Sequence, residues 1–188
     1  MAAGADAVGF VVADGSPRNV GATQVGHLVA ALDGRARSVL VVRGVPVDRA
    51  LDIAHRSGAD VLQLHGYDSS DERQVSAAGV PLWVARNPEQ ARGGRVGAAG
   101  EDAWLVDSPV AGSGKVWDHD DFAVPDGRWL LAGGLDPDNV AEALRKLRPW
   151  GVDVSSGVEA ARGIKDHSRI AAFVAAVRNC AAPRAPER

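Results

Sequence analysis

The sequence has little cysteine, no basic run and no long apolar segment. The single cysteine, Cys180, excludes an internal disulfide and any cysteine-rich metal site. Lysine and arginine are scattered, and the net charge of -3 argues against a nucleic-acid or membrane-surface partner. The longest apolar stretches fall well short of the roughly 20 residues that span a bilayer. No basic and then apolar region of a signal peptide follows Met1, so we expect a cytoplasmic location.

Short apolar runs recur along the chain and alternate with segments of helical spacing. They are continuous in Val and Leu, which is typical of strands buried on both faces of a parallel sheet. Seven such runs predict strands, at 7–12, 38–42, 61–64, 81–85, 103–106, 129–132 and 152–154. No linker divides the chain. We therefore predict one domain over residues 1–180, followed by a frayed tail at 181–188 that carries two prolines.

Repeated β-α units of this length fit either an open doubly wound sheet or a (β/α)₈ barrel. The doubly wound alternative usually places a Gly-x-Gly-x-x-Gly turn after the first strand, and this sequence has none there. The barrel alternative predicts a phosphate site in the loops after the last two strands. The sequence can be checked for that site.

The last two predicted strands are both followed by small residues. Gly133-Gly134 precedes Asp136-Pro137, which has the composition of a helix start, and Ser155-Ser156-Gly157 follows the final strand. Glycine lets the backbone approach an anion closely, and helix amino termini favour negative charge. One such loop alone is as easily an ordinary tight turn. The pair, in these positions, favours phosphate binding by Gly133, Gly134, Ser155, Ser156 and Gly157.

Further polar residues follow other strands. Asp107 and His65 each come directly after an apolar run, and Asp153 alternates with two valines and is expected to point into the barrel. Arg18 lies in the loop after the first strand, where it is able to hold a carboxylate. Each residue also has an ordinary role open to it: loop capping for Asp107, a satisfied hydrogen bond for His65 and solvation for Arg18.

Taken together, these segments resemble the phosphoribosylanthranilate isomerases of tryptophan biosynthesis. The matching stretches include GADAVGFVVADGSPRNV, VLQLHG, LLAGGLDPDNVAEAL and DVSSGVEAARGIKD, in family order. The resemblance implies a (β/α)₈ barrel and an Amadori rearrangement of a small phosphoribosyl substrate without a cofactor. It implies that Asp107 is the general acid, that Arg18 binds the anthranilate carboxylate, and that the two loops hold the phosphate. His65 and Asp153 are further substrate-binding candidates.

The sequence departs from the family pattern in two places. The loop after the fifth predicted strand reads Ala111-Gly112-Ser113-Gly114 where the family commonly has Gly-Gly-Thr-Gly. The family begins with a strand that ends in Lys-Ile-Cys-Gly, whose cysteine is the general base, and this motif is absent here. We therefore expect about seven βα units with the first strand missing, in an open or rearranged barrel.

Three further expectations follow from that departure. The exposed strand edges predict a possible homodimer, in which a second chain completes the sheet. A phosphosugar-binding barrel without catalysis is the first alternative function. A histidine-pathway phosphoribosyl isomerase is a lesser one, because its relatives carry phosphate loops in both half-barrels and this sequence shows them clearly only in the last quarter.

Overall fold

A computed structural model describes residues 3–107 and 122–181 of the chain. Strands and helices alternate through most of this length. The strands of the main sheet are β1 Ala7–Val12, β2 Arg37–Val42, β3 Val61–Leu64, β4 Leu82–Arg86, β5 Ala103–Val106, β6 Trp129–Leu131 and β7 Gly151–Val152. The helices are α1 Ala22–Leu32, α2 Val47–Ser57, α3 Ser69–Ala77, α4 Pro88–Ala91, α5 Val140–Leu147 and α6 His167–Ala181. A short 3₁₀ turn, Ser156–Val158, leads into a hairpin of β8 Glu159–Ala161 and β9 Ile164–Lys165.

The main sheet follows the order of the chain. Its seven strands lie side by side from β1 to β7, and each pairs in parallel with the next. The sheet curls into a half-barrel with β1 and β7 at its two edges. This confirms the predicted α/β fold of the (β/α)₈ barrel type, with seven parallel strands in the described residues.

Two apolar layers lie on the opposite faces of the sheet. The outer layer packs the sheet against the helices and includes Leu40, Leu62 and Leu131, which are fully buried. The inner layer lies on the concave face, at Val39, Val61, Trp83, Ala103, Leu105, Leu130 and Ala132. Because both faces are covered, consecutive residues of each strand are apolar, which explains the continuous runs in the sequence.

Capping residues fix the end of α2 and the start of α3. Gly58 ends α2 with φ of 68°, in the left-handed region that favours glycine. The Asp68 side chain accepts hydrogen bonds from the amides of Ser70 and Asp71, which caps the start of α3. Asp68 thereby fixes the loop between β3 and α3 at the carboxyl edge of the sheet, and Gly58 fixes the loop between α2 and β3 at its amino edge.

One predicted helix start was wrong, and one element was not predicted. The helix expected at Asp136-Pro137 begins at Val140 instead. Asp136 Oδ1 accepts from the amides of Asp138 and Asn139, so it caps a separate turn that precedes α5. The β8–β9 hairpin had no sequence signal strong enough to predict it. The Ala111–Gly114 loop and residues 182–188 of the predicted tail lie outside the described residues.

Leu62→Ala tests the outer apolar layer. Leu62 lies on the interior strand β3 and is fully buried, so we expect its truncation to lower the free energy of unfolding by about 2–5 kcal/mol. Urea denaturation measures this change. The matched control is Leu28→Ala on α1, where the leucine is 36% exposed and the loss should stay below about 1 kcal/mol. Equal losses at the two positions would contradict this assignment of the core.

Candidate active site

Three of the predicted site residues lie at the carboxyl edge of the sheet. The amides of His65, Asp107 and Asp153 donate to the carbonyls of Val42, Arg86 and Leu131, so each residue continues the ladder just beyond its strand. Asp107 follows the inward-facing Leu105 by two positions and therefore shares its face of the sheet. In parallel βα sheets this is the edge where ligands bind.

Asp153 and Asp107 form a pair of interacting carboxyl groups. The pKa of Asp153 is raised to about 6, first by crowding of protein atoms around its carboxyl and second by the charge of Asp107; Lys165 opposes the rise. The residue as a whole is exposed on the open side of the sheet, so the crowding concerns its carboxyl group. Two acids that repel each other retain a proton at a pH at which an isolated aspartate has lost it.

His65 is held as a neutral ring. Burial, with the charge of Arg43 as a second cause, lowers its pKa to about 4. Its Nε2 lies 2.6 Å from the amide nitrogen of Gln63, a buried side chain two residues earlier on the same face. Because an amide nitrogen only donates, Nε2 acts as the acceptor. His65 therefore offers the site a neutral imidazole rather than a cation.

The two loops predicted to bind phosphate contact each other. Gly133 and Gly134 have φ of 84° and 69°, which favours glycine at both positions. A Cβ on Gly157 would lie 1.8 Å from the carbonyl oxygen of Leu135, so only glycine fits where the second loop meets the first. Among the described residues, none accepts a hydrogen bond from the backbone amides of Gly133, Gly134 or Ser156.

Arg18 reaches this edge and is paired there with Glu159. Its Nε and Nη2 donate to the two carboxylate oxygens of Glu159 at 2.6 and 2.8 Å. Lys165 Nζ donates to Glu159 and also to the carbonyl of Ser155, at 3.1 and 2.8 Å. These cations hold the pKa of Glu159 at about 2, with the Arg18 hydrogen bond as the largest cause.

Sequence reasoning missed Glu159 and Lys165. Both lie in the GVEAARGIKD stretch that carries the family resemblance, but no local pattern indicates that Glu159 faces a residue 141 positions away. Their only signal was a pair of charged residues soon after the Ser155-Ser156-Gly157 loop. The ion pair can therefore be recognised only in the folded structure, where the residues that follow β1 and β7 lie side by side.

Two other features lie away from this edge. The Cys180 thiol donates to the carbonyl of Ala141, so it lies between α6 and α5. A cavity of about 370 Å³ opens at the amino end of the strands, beside Trp83 and Trp150. That end of a barrel generally serves stability.

In residues 3–107 and 122–181, no group of three or more His, Cys, Asp or Glu side chains is placed to hold a metal ion.

Comparisons with known proteins agree over nearly the whole chain. A family model described as N-(5'-phosphoribosyl)anthranilate (PRA) isomerase matches residues 1–176. The N-(5'-phosphoribosyl)anthranilate isomerase of Haloferax volcanii is 42% identical over 188 residues, covering 94% of this chain and 85% of that protein. The crystal structure of TrpF from Jonesia denitrificans matches with a TM-score of 0.88 and 48% identity, covering 97% of this chain and 91% of that one.

A further solved structure holds a ligand. It is a phosphoribosyl anthranilate isomerase in complex with reduced 1-(o-carboxyphenylamino)-1-deoxyribulose 5-phosphate. It matches with a TM-score of 0.74 and 27% identity, covering 95% of this chain and 90% of that one. That ligand carries a carboxylate at one end and a phosphate at the other.

The carboxyl pair gives a prediction for pH titration. Carbon NMR of Asp153 should show a midpoint at pH about 6. Asp107→Asn should lower this midpoint, yet leave it above the ordinary value of 3.8, because desolvation by the atoms crowded around the carboxyl group is the larger cause. Since the pKa is raised in the folded state, the stability that Asp153 contributes is complete below pH 3.8 and is lost as pH rises to about 6.

The control for this titration is Asp52→Asn on the exposed face of α2, which should leave the midpoint unchanged. An Asp153 midpoint near 3.8 in the wild-type protein would contradict the crowded pair. A midpoint that does not move in Asp107→Asn would show that the two carboxyl groups do not interact.

Proposed function

Because the chain belongs to the N-(5'-phosphoribosyl)anthranilate isomerase family, we propose that it is an isomerase of tryptophan biosynthesis that acts on N-(5'-phosphoribosyl)anthranilate. One observation in the structure supports this proposal above the others. The Asp107–Asp153 pair, Arg18 and the two glycine- and serine-containing loops all meet the carboxyl edge of one sheet. A substrate with two anionic ends needs such a site, with proton-carrying groups between its binding ends.

The two ends of the substrate have different partners in this proposal. The phosphate is held by Gly133, Gly134, Ser155, Ser156 and Gly157, largely through backbone amides. Support comes from the amides of Gly133 and Gly134, which have no acceptor among residues 3–107 and 122–181, and from the close contact of Gly157 with Leu135. The anthranilate carboxylate is held by Arg18, whose guanidinium keeps a free edge beside Glu159.

The chemistry is two proton transfers, at the ring oxygen and at C2 of the sugar, which are both bonded to C1. Asp107 donates a proton to the furanose ring oxygen, the bond from C1 to that oxygen breaks, and the nitrogen lone pair forms a Schiff base. A base then removes the proton from C2, which gives an enolamine that tautomerises to the ketone. The first step requires a protonated carboxyl group, and the raised pKa of Asp153 supports a pair that holds a proton up to pH about 6. Asp153 and His65 line the same edge as substrate-binding residues.

The base of the second step is sought among residues at this edge. In the family resembled, this base is a cysteine, and the sole cysteine of this sequence lies between α6 and α5. Asp6 is placed at the opposite end of the sheet, because its carbonyl accepts from Arg37 at the amino end of β2. If residues 1–188 by themselves catalyse the reaction, His65 and Asp153 are the remaining candidates for the base among the described residues. Of the two, Asp153 lies beside the proposed acid, and its carboxylate is ionised at neutral pH.

The proposed setting is a cytoplasmic enzyme with a small-molecule substrate. None of the helices in the described residues is long and apolar enough to span a membrane. A homodimer that pairs the edges of β1 and β7 remains a prediction. The Arg18–Glu159 contact joins the loop after β1 to the hairpin that follows β7, so such pairing would have to occur along the strands themselves, on the amino side of this contact.

Asp107→Asn tests the proposed acid. The wild-type chain should consume N-(5'-phosphoribosyl)anthranilate with loss of anthranilate fluorescence, and the variant should lower kcat by about 100-fold or more, because the asparagine amide has no acidic proton to donate. Cys180→Ser is the control and should leave kcat unchanged. Wild-type binding of the reduced product analogue without turnover would instead favour the phosphosugar-binding alternative, which the comparisons do not favour.

Gly157→Ala tests the phosphate end. The added Cβ forces the two loops apart, so the affinity for inorganic phosphate, measured by NMR titration, should fall at least about tenfold. Gly26→Ala on α1 is the control, because its Cβ would meet only ordinary contacts, the nearest at 3.7 Å. Unchanged phosphate affinity in a folded Gly157→Ala protein would remove these loops from the phosphate site.

A further inference from the structure

Arg18 is bound to the protein by only part of its hydrogen-bonding capacity. A guanidinium carries five N–H groups, and Glu159 takes the Nε–H and one from Nη2. No described residue accepts a hydrogen bond from Nη1. The Nη1–Nη2 edge therefore remains available, and this edge can bind a second carboxylate in a bidentate manner.

Three hydrogen-bonding partners hold the carboxylate of Glu159 in place. Its side chain is 5% exposed, and it accepts from Arg18, Lys165 and the amide of Gly163. Gly163 itself packs closely on Pro17, because a Cβ there would lie 2.8 Å from the Pro17 carbonyl oxygen. The carboxylate cannot move without moving the hairpin, so it is a rigid anchor for the arginine.

The cluster of Arg18, Glu159 and Lys165 keeps an excess of positive charge. Two cations surround one carboxylate, so the group attracts an anion even with its internal ion pairs intact. An arginine without Glu159 would be free to sample several rotamers, and ordering it would cost binding energy. The ion pair with Glu159 therefore orients the Arg18 guanidinium before a ligand binds, which lowers that cost.

We infer that Glu159 is a positioning residue, which holds Arg18 through Nε and Nη2 so that its Nη1–Nη2 edge receives the carboxylate of the substrate. This inference rests on the proposed function, in which Arg18 binds that carboxylate. Glu159 does not touch the substrate in this arrangement. Because Glu159 affects the ligand only through Arg18, variants of the two residues can distinguish positioning by Glu159 from direct binding.

A binding cycle tests this role independently of turnover. Two probes are titrated by calorimetry: the reduced product analogue, which has both anionic ends, and ribulose 5-phosphate, which lacks the carboxyphenyl group. Glu159→Gln should weaken the analogue about tenfold, as expected when a charge-assisted hydrogen bond loses its orientation, and change ribulose 5-phosphate less than about threefold. Arg18→Met should weaken the analogue at least as much.

The double variant is the decisive member of the cycle. If Glu159 acts through Arg18, adding Glu159→Gln to Arg18→Met should cause no further loss of analogue affinity. Additive losses, or an affinity in Glu159→Gln that equals or exceeds the wild type, would overturn the positioning role. Unchanged analogue affinity in Arg18→Met would instead overturn the carboxylate anchor of the proposed function, and the positioning role with it.

The chain contains a matched control for the loss of a buried ion pair. Glu72 binds Arg86 in the same bidentate way, at 2.6 and 2.7 Å, and its side chain is 2% exposed. Glu72→Gln should lower stability but change analogue affinity less than twofold. If Glu159→Gln fails to fold, Glu159→Asp keeps the charge on a side chain one methylene shorter. It should then give a smaller loss of analogue affinity, and wild-type affinity in that variant would overturn the role.

Discussion

The contact between Arg18 and Glu159 joins the two edges of an open sheet. Arg18 follows β1 and Glu159 follows β7, and no pairing of these two strands occurs among the described residues. The two side chains are 141 positions apart in the sequence. Burying a charged pair costs desolvation energy, which is recovered only when the geometry is good and further donors satisfy the carboxylate. Lys165 and the Gly163 amide supply those donors, and the carboxyl edge of the sheet is thereby held as one site.

The charges of the site are segregated. Arg18 and Lys165 lie on the Glu159 side with an excess of positive charge, whereas Asp107 and Asp153 repel each other nearby. Lys165 belongs to both sets, because it contacts Glu159 and also opposes the rise in the pKa of Asp153. Separation of this kind suits a substrate with anionic ends and a reacting centre that exchanges protons. In the proposed function, the cations and backbone amides bind the anionic ends of the substrate, and the acids transfer protons.

The sequence allowed the strands and the residues after them to be predicted, because both depend on local pattern. Continuous apolar runs located β3 and β5 to the residue, and residues just beyond a parallel strand must lie at its carboxyl edge. The partner of Arg18 was not predictable, because it depends on a contact across the whole sheet. Asp136 was misassigned for a smaller reason: a capping side chain can close a turn as well as begin a helix, and the Asp138 and Asn139 amides fit the turn.

The two buried arginine–glutamate pairs show that position, more than residue type, decides what such a pair can do. Arg86 is the last residue of β4, so it too lies at the carboxyl edge of the sheet. It shares the outward face of β4 with Leu82 and Val84, and there it contacts Glu72 and the ring of Trp104. A shift of one residue along a strand would turn the side chain to the inner face. The Arg86 guanidinium is occupied by Glu72 and the ring of Trp104. Arg18, in the loop after β1, gives only Nε and Nη2 to Glu159, so among the described residues no acceptor binds its Nη1.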